Sequence, residues 1–413
     1  AMARRVGSHC RGVVMAAGEA SVPGTLPERA DATRLPARVV IVTHDLHPYG
    51  AERVAVAIAD TLRSAFDVRC EMASLGGGPL AAALRRTIPV HMLGVLWRAP
   101  QRDVAPVAHA MRERGCRHAI LNTVMCGAAA PVFRSMGYAV VGLVHEMPGL
   151  IRREGVEERL ASLHGHAHAV VYPDEAVFRA IESEFGRLPR AAKVRFLPQG
   201  VIRRNAWRLR PDDARAEAQR LLDVPRDRPL VLAVGHGDER KGLDHFLAVA
   251  RIVNERRSRP VAFAWVGDVE EAYRARLVEQ GLWPDPWPDY LRFPGYVADT
   301  TALHRAADVF ALTSREDPFP NVVLESMDAG VPVVAFAGTG GGARLAGEIA
   351  GIAVPSFDVE AYADAVERFV DDESARRAAG AAAARTVDER YSFDAYVGRL
   401  LELLAEGRAD ERG

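Results

Sequence analysis

The chain lacks several features that mark common protein classes. Within its 413 residues no window reaches the run of about 18 uncharged apolar residues that a membrane-spanning helix needs. The four cysteines lie far apart, with no C-x-x-C pair and no histidine pair at metal-ligand spacing beside them, so neither a disulfide framework nor a cysteine-histidine zinc site is indicated. The net charge of -1 gives no overall attraction to nucleic acid, and we expect no nucleic-acid partner.

We expect no signal peptide among the first residues. Arg4 and Arg5 precede an apolar run, Val13 to Ala17, that is too short for a signal-peptide core. We interpret residues 1–36 as a mobile leader, because they are rich in Ala, Gly, Arg and Pro without a clear period. The predicted location is the cytoplasm.

Lysine is almost absent. Lys193 and Lys241 are the only lysines among 53 basic residues, so arginine supplies nearly all of the positive charge. An ammonium group approaches a phosphate as a compact point charge, whereas a guanidinium presents a planar fork. Each lysine is therefore of interest as a phosphate-binding group.

What is present is a regular alternation. From Arg38 onward, short β-branched runs alternate with amphipathic stretches of about ten to fifteen residues, a pattern typical of a doubly wound parallel sheet. The alternation restarts at Leu230 after an arginine-rich stretch near 199–210, where we place the interdomain hinge. We predict an α/β protein with two Rossmann-like domains, 37–200 and 201–392, facing an interdomain cleft. A C-terminal helix over 393–413 could pack back on the first domain.

The predicted strands share β-branched or apolar composition and turn residues at their ends. In the first domain they are 39–42, 68–73, 89–93, 118–121, 139–144, 169–171 and 194–197. In the second they are 230–234, 261–266, 291–293, 309–312, 333–336 and 352–354. Ligands of such sheets bind beyond the carboxyl ends of the strands, which places the candidate site in the cleft.

The most specific segment runs from Thr313 to Glu325, between a predicted strand and a predicted helix. A helix N-terminus presents unpaired N–H groups and a positive dipole end, which suits a pyrophosphate. Glu325 could accept hydrogen bonds from ribose hydroxyls. The alternative is that Asp317 only caps the helix and Glu325 is solvated.

This segment resembles the E-x7-E region of glycosyltransferase family 4, written as Glu-Pro-Phe-Gly, a helix, a second Glu and Gly-x-Pro-Val. Asp317 stands in the first acidic place, and the adjacent Glu316 leaves open which carboxylate contacts the donor sugar. The resemblance implies a GT-B fold and retaining transfer from a nucleotide diphosphate sugar such as a UDP- or GDP-sugar. It makes Asp317 a candidate catalytic residue and implies donor-binding roles for Glu316, Phe319, Pro320, Asn321, Val322 and Glu325.

The segment from Val234 to Asp244 follows the first strand of the second domain. It resembles the Gly-Arg…Lys-Gly phosphate clamp of the same family, which implies catalytic roles for Arg240 and Lys241 and donor-binding roles for Gly235 and His236. Cations suit this position because the leaving diphosphate gains negative charge as the glycosidic bond breaks. His236 stands where an arginine often follows the glycine, and the alternative for the whole segment is a solvated turn.

The first domain offers two strand ends of interest. Residues 43–53 resemble the Gly-Gly-Ala-Glu-Arg turn of the family, with Tyr49 in place of one glycine, and Gly50 would let the backbone approach a ligand. His145 follows the strand at 139–144. The resemblance implies that it contacts a donor-sugar hydroxyl and orients the anomeric carbon, whereas the alternative is a histidine hydrogen-bonded within its loop.

No Asp-x-Asp motif occurs, so we predict metal-independent transfer with no cofactor apart from the donor substrate. The glycines of 338–342 could donate backbone N–H groups to a nucleotide. In relatives this loop continues as Gly-Gly-x-x-Glu, whereas here Ala343, Arg344 and Leu345 follow.

Two other functions stay open from the residues alone. A nucleotide-sugar epimerase could use the same scaffold, and so could a noncatalytic nucleotide-sugar binding subunit. The acceptor and the oligomeric state are not indicated. The arginine-rich stretch after 195 is either a solvated linker or a weak peripheral contact with anionic lipid.

Overall fold

The computed structural model describes residues 35–93, 100–189 and 191–409. The predicted leader therefore lies outside the described residues except for its last two positions. Leu35 packs against the core of the first domain, and Pro36 is buried.

The described chain contains two parallel sheets. The first has seven strands in the order β3-β2-β1-β4-β5-β6-β7, and the second has six in the order β10-β9-β8-β11-β12-β13. In the first sheet the strands are β1 (Arg38–Thr43), β2 (Arg69–Ser74), β3 (Val90–Met92), β4 (His118–Leu121), β5 (Ala139–Leu143), β6 (Ala169–Tyr172) and β7 (Lys193–Phe196). In the second they are β8 (Leu230–Val234), β9 (Ala262–Val266), β10 (Leu291–Gly295), β11 (Val309–Leu312), β12 (Val333–Phe336) and β13 (Gly351–Val354).

Helices connect the strands and cover both faces of each sheet. Those that follow strands of the first sheet are α1 (Gly50–Ser64), α2 (Leu80–Leu84), α3 (Pro100–Glu113), α4 (Ala130–Ser135), α5 (Pro148–Glu154), α6 (Glu157–His166) and α7 (Glu175–Phe185). Those of the second half are α8 (Pro211–Leu222), α9 (Leu243–Glu255), α10 (Glu271–Glu279), α11 (Thr301–Ala306), α12 (Asn321–Asp328), α13 (Gly341–Leu345), α14 (Val359–Asp371), α15 (Glu373–Arg390) and α16 (Phe393–Ala409). A 3-10 helix (Val124–Ala129) and a π-helix (Ala346–Ala350) complete the set.

The central strands form because their apolar runs are buried on both faces, as parallel sheets require. β1, β5 and β9 are fully buried apart from Arg38 at the start of β1. In both sheets the strand order reverses beside the first strand, between β1 and β4 and between β8 and β11. All thirteen predicted strands are present, and the predicted doubly wound α/β fold is confirmed.

The end of the chain returns to the first domain. After α15 the chain crosses back, and α16 packs its apolar side against the core that contains β1 and α1. Val201, in the irregular segment that leads into the second domain, pairs with Ser392 just before α16. Two crossings thus lie side by side and join the domains.

The helices of the described residues were also compared with the length and hydropathy that a bilayer requires. Among the residues 35–93, 100–189 and 191–409, no helix is long and apolar enough to cross a membrane.

Candidate active site

The predicted site residues of the second domain meet at the reversal of its strand order. The turn after β8 carries Gly235 to Lys241, and the turn after β11 carries Thr313 to Pro320, and these two strands are neighbours. Carboxyl ends of parallel strands share one edge of the sheet, so the two turns lie together. They form one surface that faces the first domain.

An ion pair joins the two turns. Lys241 Nζ donates to Asp317 Oδ2 at 2.5 Å, and the side chains are only 16% and 7% exposed. Asp238 Oδ1 accepts a hydrogen bond from the backbone N–H of Lys241 at 2.7 Å and so fixes the backbone of the lysine. Because an ammonium has three donors, Lys241 keeps capacity for an anionic ligand while it is paired.

Arg240 and Glu316 lie beside this pair and reach toward the first domain. Arg240 Nη1 donates to the backbone oxygen of Glu316 at 3.0 Å. The Glu316 carboxylate accepts from the backbone N–H of Gly149, at the start of α5, at 3.3 Å. A Cβ on Gly149 would lie 2.4 Å from that carboxylate, so a larger residue there would displace the end of the Glu316 side chain. Of the two adjacent carboxylates, Asp317 turns inward to Lys241 and Glu316 spans the cleft.

Backbone contacts hold the two turns in register. Gly242 has φ +71°, and a Cβ there would lie 2.0 Å from the carbonyl oxygen of Thr313. Thr313 Oγ1 donates in turn to the carbonyl oxygen of Lys241 at 3.1 Å. Arg315 adds an ion pair to Asp244 at 2.6 Å. The backbone of Lys241 is thus held in place by the contacts of Gly242 and Lys241 itself with Thr313.

The glycine-rich loop after β12, residues 338–342, packs against the turn that carries Asp317. Asp317 N–H donates to Thr339 O at 2.8 Å, and Gly341 N–H donates to Pro318 O at 2.9 Å. Gly340 has φ +130°, and a Cβ there would lie 1.8 Å from the carbonyl oxygen of Asp317. The prediction that these glycines donate to a nucleotide stays untested, but their close approach to the turn is a sufficient reason for glycine.

Replacing Gly340 with alanine should therefore displace Asp317 and destabilise the fold. We expect a loss of about 1–3 kcal/mol in the free energy of unfolding, because the residue would keep a backbone conformation that L side chains rarely adopt. Urea titration followed by circular dichroism measures this loss. Gly77→Ala is the control, since a Cβ there meets nothing within 4 Å. Equal stabilities of the two variants would contradict the account of the loop.

Glu325 lies one turn into α12, next to a buried histidine. His304 Nε2 is 3.3 Å from Glu325 Oε2, and His304 Nδ1 contacts Ser326 Oγ at 2.7 Å. Burial acts to raise the pKa of Glu325, but the hydrogen bond and charge of His304 and the charge of Arg53 outweigh it, so the pKa is lowered. The carboxylate is therefore ionised at neutral pH and still 28% exposed, as an acceptor of hydroxyl groups must be.

The residues between the two acidic positions present different groups. Phe319 is only 3% exposed and packs in the core of the second domain, so its backbone alone is available to a ligand. Asn321 begins α12 and accepts from Gln199 Nε2 through Oδ1 at 2.7 Å. Pro320 is buried, and Val322 is half-buried.

The two predicted donor-binding residues of the other turn directly follow β8. The N–H of Gly235 donates to the carbonyl oxygen of Val266, and His236 beside it is exposed.

His145 follows β5 in the first domain. Its Nε2 is buried and has no hydrogen-bond partner in the described part of the chain, and burial, reinforced by the nearby His44, lowers the pKa of the imidazole to about 4. The ring is therefore neutral at pH 7. Glu146 holds the backbone here, since its carboxylate accepts from His145 N–H at 2.8 Å and from Val124 N–H at 3.3 Å.

Gly50 is the first residue of α1, at the carboxyl end of β1. A Cβ at this position would meet nothing within 4 Å, so no described part of the fold requires a glycine. The open space lies beside Tyr49, whose side chain is 57% exposed. The role predicted for Gly50 stays a prediction.

The structure adds interdomain contacts that sequence reasoning did not find. Arg344 Nε and Nη2 donate to Asp174 Oδ2 at 2.8 and 2.5 Å, and Asp174 is only 6% exposed. Arg53 Nη2 donates to Tyr296 OH at 3.1 Å on the other side of the cleft. Arg344 stands out in the sequence as a departure from the usual Gly-Gly-x-x-Glu loop, and nothing local indicates its partner.

Residues 228–372 match the family model described as Glycosyl transferases group 1. The matched residues lie in the second domain. The match contains the Arg240–Lys241 turn, the Asp317 turn and α12. The matched region therefore contains both segments on which the family resemblance was based.

Curated relatives carry glycosyltransferase names. The lipopolysaccharide core biosynthesis glycosyltransferase LpsE of Rhizobium meliloti is 33% identical over 186 residues, which are 45% of this chain and 52% of LpsE. The chain thus spans about half the length of that relative. A GDP-mannose-dependent alpha-(1-6)-phosphatidylinositol monomannoside mannosyltransferase of Mycobacterium tuberculosis is 28% identical over 347 residues, 76% of this chain and 82% of the relative. The predicted enzyme class, a glycosyltransferase, is confirmed.

Solved structures agree on the fold. HepE of Anabaena, crystallised with UDP-glucose, superposes with a TM-score of 0.72 at 22% identity and covers 90% of this chain and 99% of its own. WaaG, a glycosyltransferase involved in lipopolysaccharide biosynthesis, superposes with a TM-score of 0.67 at 15% identity, covering 89% and 99%. The predicted GT-B architecture is confirmed.

Proposed function

We propose that the chain is a retaining, metal-independent glycosyltransferase of family 4 that moves a hexosyl group from a nucleotide diphosphate sugar to an acceptor. The observation that carries this proposal is the partly buried Lys241–Asp317 pair, which sits between two strand-to-helix turns with Glu325 one turn away. One surface therefore offers a cation for a diphosphate and a carboxylate for a ribose. The first domain closes over it through Gly149 and Glu316.

Relatives support the donor class. The Mycobacterium tuberculosis relative is named as GDP-mannose-dependent, and HepE was crystallised with UDP and with UDP-glucose. Both donors share a diphosphate between a ribose and a hexose. We propose the same class of donor here, with the base decided by experiment.

Each group in the site has a proposed task. Arg240 and Lys241 stabilise the charge that grows on the leaving diphosphate, and Glu325 accepts the ribose hydroxyls. His145, neutral at pH 7, hydrogen-bonds a donor-sugar hydroxyl through its unpartnered Nε2. The acceptor hydroxyl attacks the face that the diphosphate leaves, and the departing phosphate oxygen takes its proton. The glycosidic bond breaks and re-forms on one face, so the anomeric configuration is retained.

Transfer should occur without a divalent cation. Lys241 and Arg240 supply positive charge where metal-dependent enzymes place an ion, so we expect turnover to be unchanged by EDTA. The measurement is nucleoside diphosphate release from GDP-mannose and UDP-glucose, each with a panel of glycan, glycolipid and polyol acceptors. NMR of the product gives the anomeric configuration.

The outcomes are distinct. Loss of turnover in EDTA, with recovery on adding Mg²⁺ or Mn²⁺, would contradict metal independence, and an inverted product would contradict retention. A new epimer of the donor without any acceptor would identify an epimerase. Donor binding without turnover toward any acceptor would indicate a binding subunit.

A further inference from the structure

A carboxyl and an imidazole meet in the interior of the first domain, where β1 ends. Glu52 on α1 is only 1% exposed, and its Oε1 lies 3.1 Å from His44 Nδ1. Among the described residues no hydrogen bond to that oxygen is formed, although His44 Nδ1 lies this close to it. Thr123 Oγ1 lies 3.4 Å from the same ring nitrogen. The His44 side chain is 21% exposed, so the ring extends from the buried carboxyl to the surface.

A carboxylate oxygen and an unprotonated ring nitrogen are both acceptors and repel each other at this distance. One proton must therefore lie between Glu52 and His44. Burial raises the pKa of Glu52 to about 8, with further contributions from the charges of Asp45 and Glu146. Burial also lowers the pKa of His44. The proton consequently resides on the carboxyl group, and His44 is neutral.

Charged and titratable groups surround the pair from several elements. The groups whose pKa values are linked electrostatically to those of Glu52 or His44 are Asp45, His47, Cys126, His145, Glu146 and Glu154. The charges of Asp45 and Glu146 oppose a negative charge on Glu52. On His44, burial is the largest influence and lowers the pKa together with His47, and it outweighs the charges of Asp45 and Glu154, which favour the protonated ring. Burial is therefore what keeps both members of the pair neutral.

A metal ion suits this cluster poorly. His44, Asp45 and Glu52 offer ligand atoms within 4.8 Å of one another. However, Glu52 lies beside Nδ1 of the ring, whereas Asp45 Oδ2 lies 3.7 Å from Nε2. An ion bound to either ring nitrogen would have one carboxylate on the opposite side of the imidazole.

We propose that Glu52 is a positioning residue: as a neutral acid it donates to His44 Nδ1 and fixes the tautomer in which His44 presents Nε2–H at the carboxyl edge of the first sheet. This inference rests on the proposed transfer reaction, because the edge is the one that borders the cleft beside His145. His44 Nε2–H then donates to an oxygen of the bound donor or acceptor. Ionisation of Glu52 removes the donated proton and with it the reason for this tautomer.

The variant Glu52→Gln separates position from titration. Its amide N–H can donate to His44 Nδ1 at every pH, whereas the carboxyl does so only while protonated. We expect kcat/KM of the natural chain to fall about tenfold per pH unit above pH 8, and the Glu52→Gln variant to keep its neutral-pH activity without this fall. Glu52→Ala should be less active throughout, since it donates nothing. An alkaline fall that persists unchanged in Glu52→Gln would overturn the proposal.

Thermal melting provides a test that does not depend on transferase activity. A carboxyl whose pKa is raised on folding binds its proton more tightly in the folded state, so its contribution to stability is complete below pH 4.5 and is lost as pH rises toward 8. The amide has no such dependence. We expect the melting temperature of Glu52→Gln, relative to the natural chain, to rise from pH 5 to pH 8.

The alternative arrangement gives the opposite sign. If Glu52 were ionised and paired with a protonated His44, Glu52→Gln would lose that pair and melt lower than the natural chain at pH 7. Such a result would overturn the neutral pair whether or not a donor has been found. Conversely, the expected melting behaviour in a protein that transfers no sugar would contradict the proposed function and leave the protonation state supported.

Discussion

Replacing Lys241 with alanine should lower kcat for sugar transfer by about 10² or more, because the ammonium stabilises charge that develops on the leaving diphosphate. The lysine is fixed for this task by Asp317, Asp238 and the Thr313 turn. Steady-state turnover at saturating donor measures the effect. Lys241→Arg should recover only part of the activity, since a planar fork does not fit the position of a point charge.

The matched control is Lys193→Ala, which removes the other lysine of the chain from an exposed position on β7. Removing Lys241 also leaves Asp317 buried and without its cation, which costs about 3–5 kcal/mol in comparable sites. Activity is therefore compared at a temperature at which circular dichroism finds both variants folded. Unchanged kcat in folded Lys241→Ala protein would remove the lysine from the mechanism.

Replacing Glu325 with alanine should weaken donor binding by about 10–100-fold, because hydrogen bonds to a charged group contribute about 1.5–3 kcal/mol. The ribose hydroxyls are far from the reacting bond, so their interaction is equally strong in the ground state and in the transition state. We therefore expect KM for the donor to rise while kcat at saturation changes little.

Titration calorimetry measures the affinity of each variant for a nucleoside diphosphate, which contains the ribose, and for a hexose 1-phosphate, which does not. The loss of affinity caused by Glu325→Ala should appear only with the nucleoside diphosphate. Glu255→Gln is the control, because that carboxylate is exposed on α9 and pairs only with Arg251 in the described structure. Equal affinities of Glu325→Ala and the control for the nucleoside diphosphate would contradict the ribose assignment.

The fold could be predicted from the sequence because its signal is local and repeated. The central strands are short apolar runs buried on both faces, as in Leu230–Val234 and Val333–Phe336, and each strand is followed by a helix. The same argument gave the strand ends and hence the edge of the site. That the carboxyl edges of the two sheets face each other across a cleft could be inferred only from the family resemblance.

The candidate site residues were chosen from local signals in the sequence. Lys241 stood out because lysine is rare, and Asp317 and Glu325 because of their spacing around a helix start. The partners of such side chains were not predictable from the sequence, because they come from distant segments. His304 on α11 contacts Glu325, and Asp174 of the first domain pairs with Arg344 of the second. The Glu52–His44 pair was missed because neither residue type is unusual, and only burial makes the carboxyl a proton donor.

The most direct test of the account is a crystal structure of the chain grown with a nucleoside diphosphate, using GDP and UDP in turn. We predict a diphosphate within hydrogen-bond distance of Lys241 Nζ, between the turns after β8 and β11, with the ribose hydroxyls on Glu325. A nucleotide held at another place, such as the cavity of about 370 Å³ at the amino ends of β1 and β2, with Lys241 and Glu325 free of contact, would contradict it.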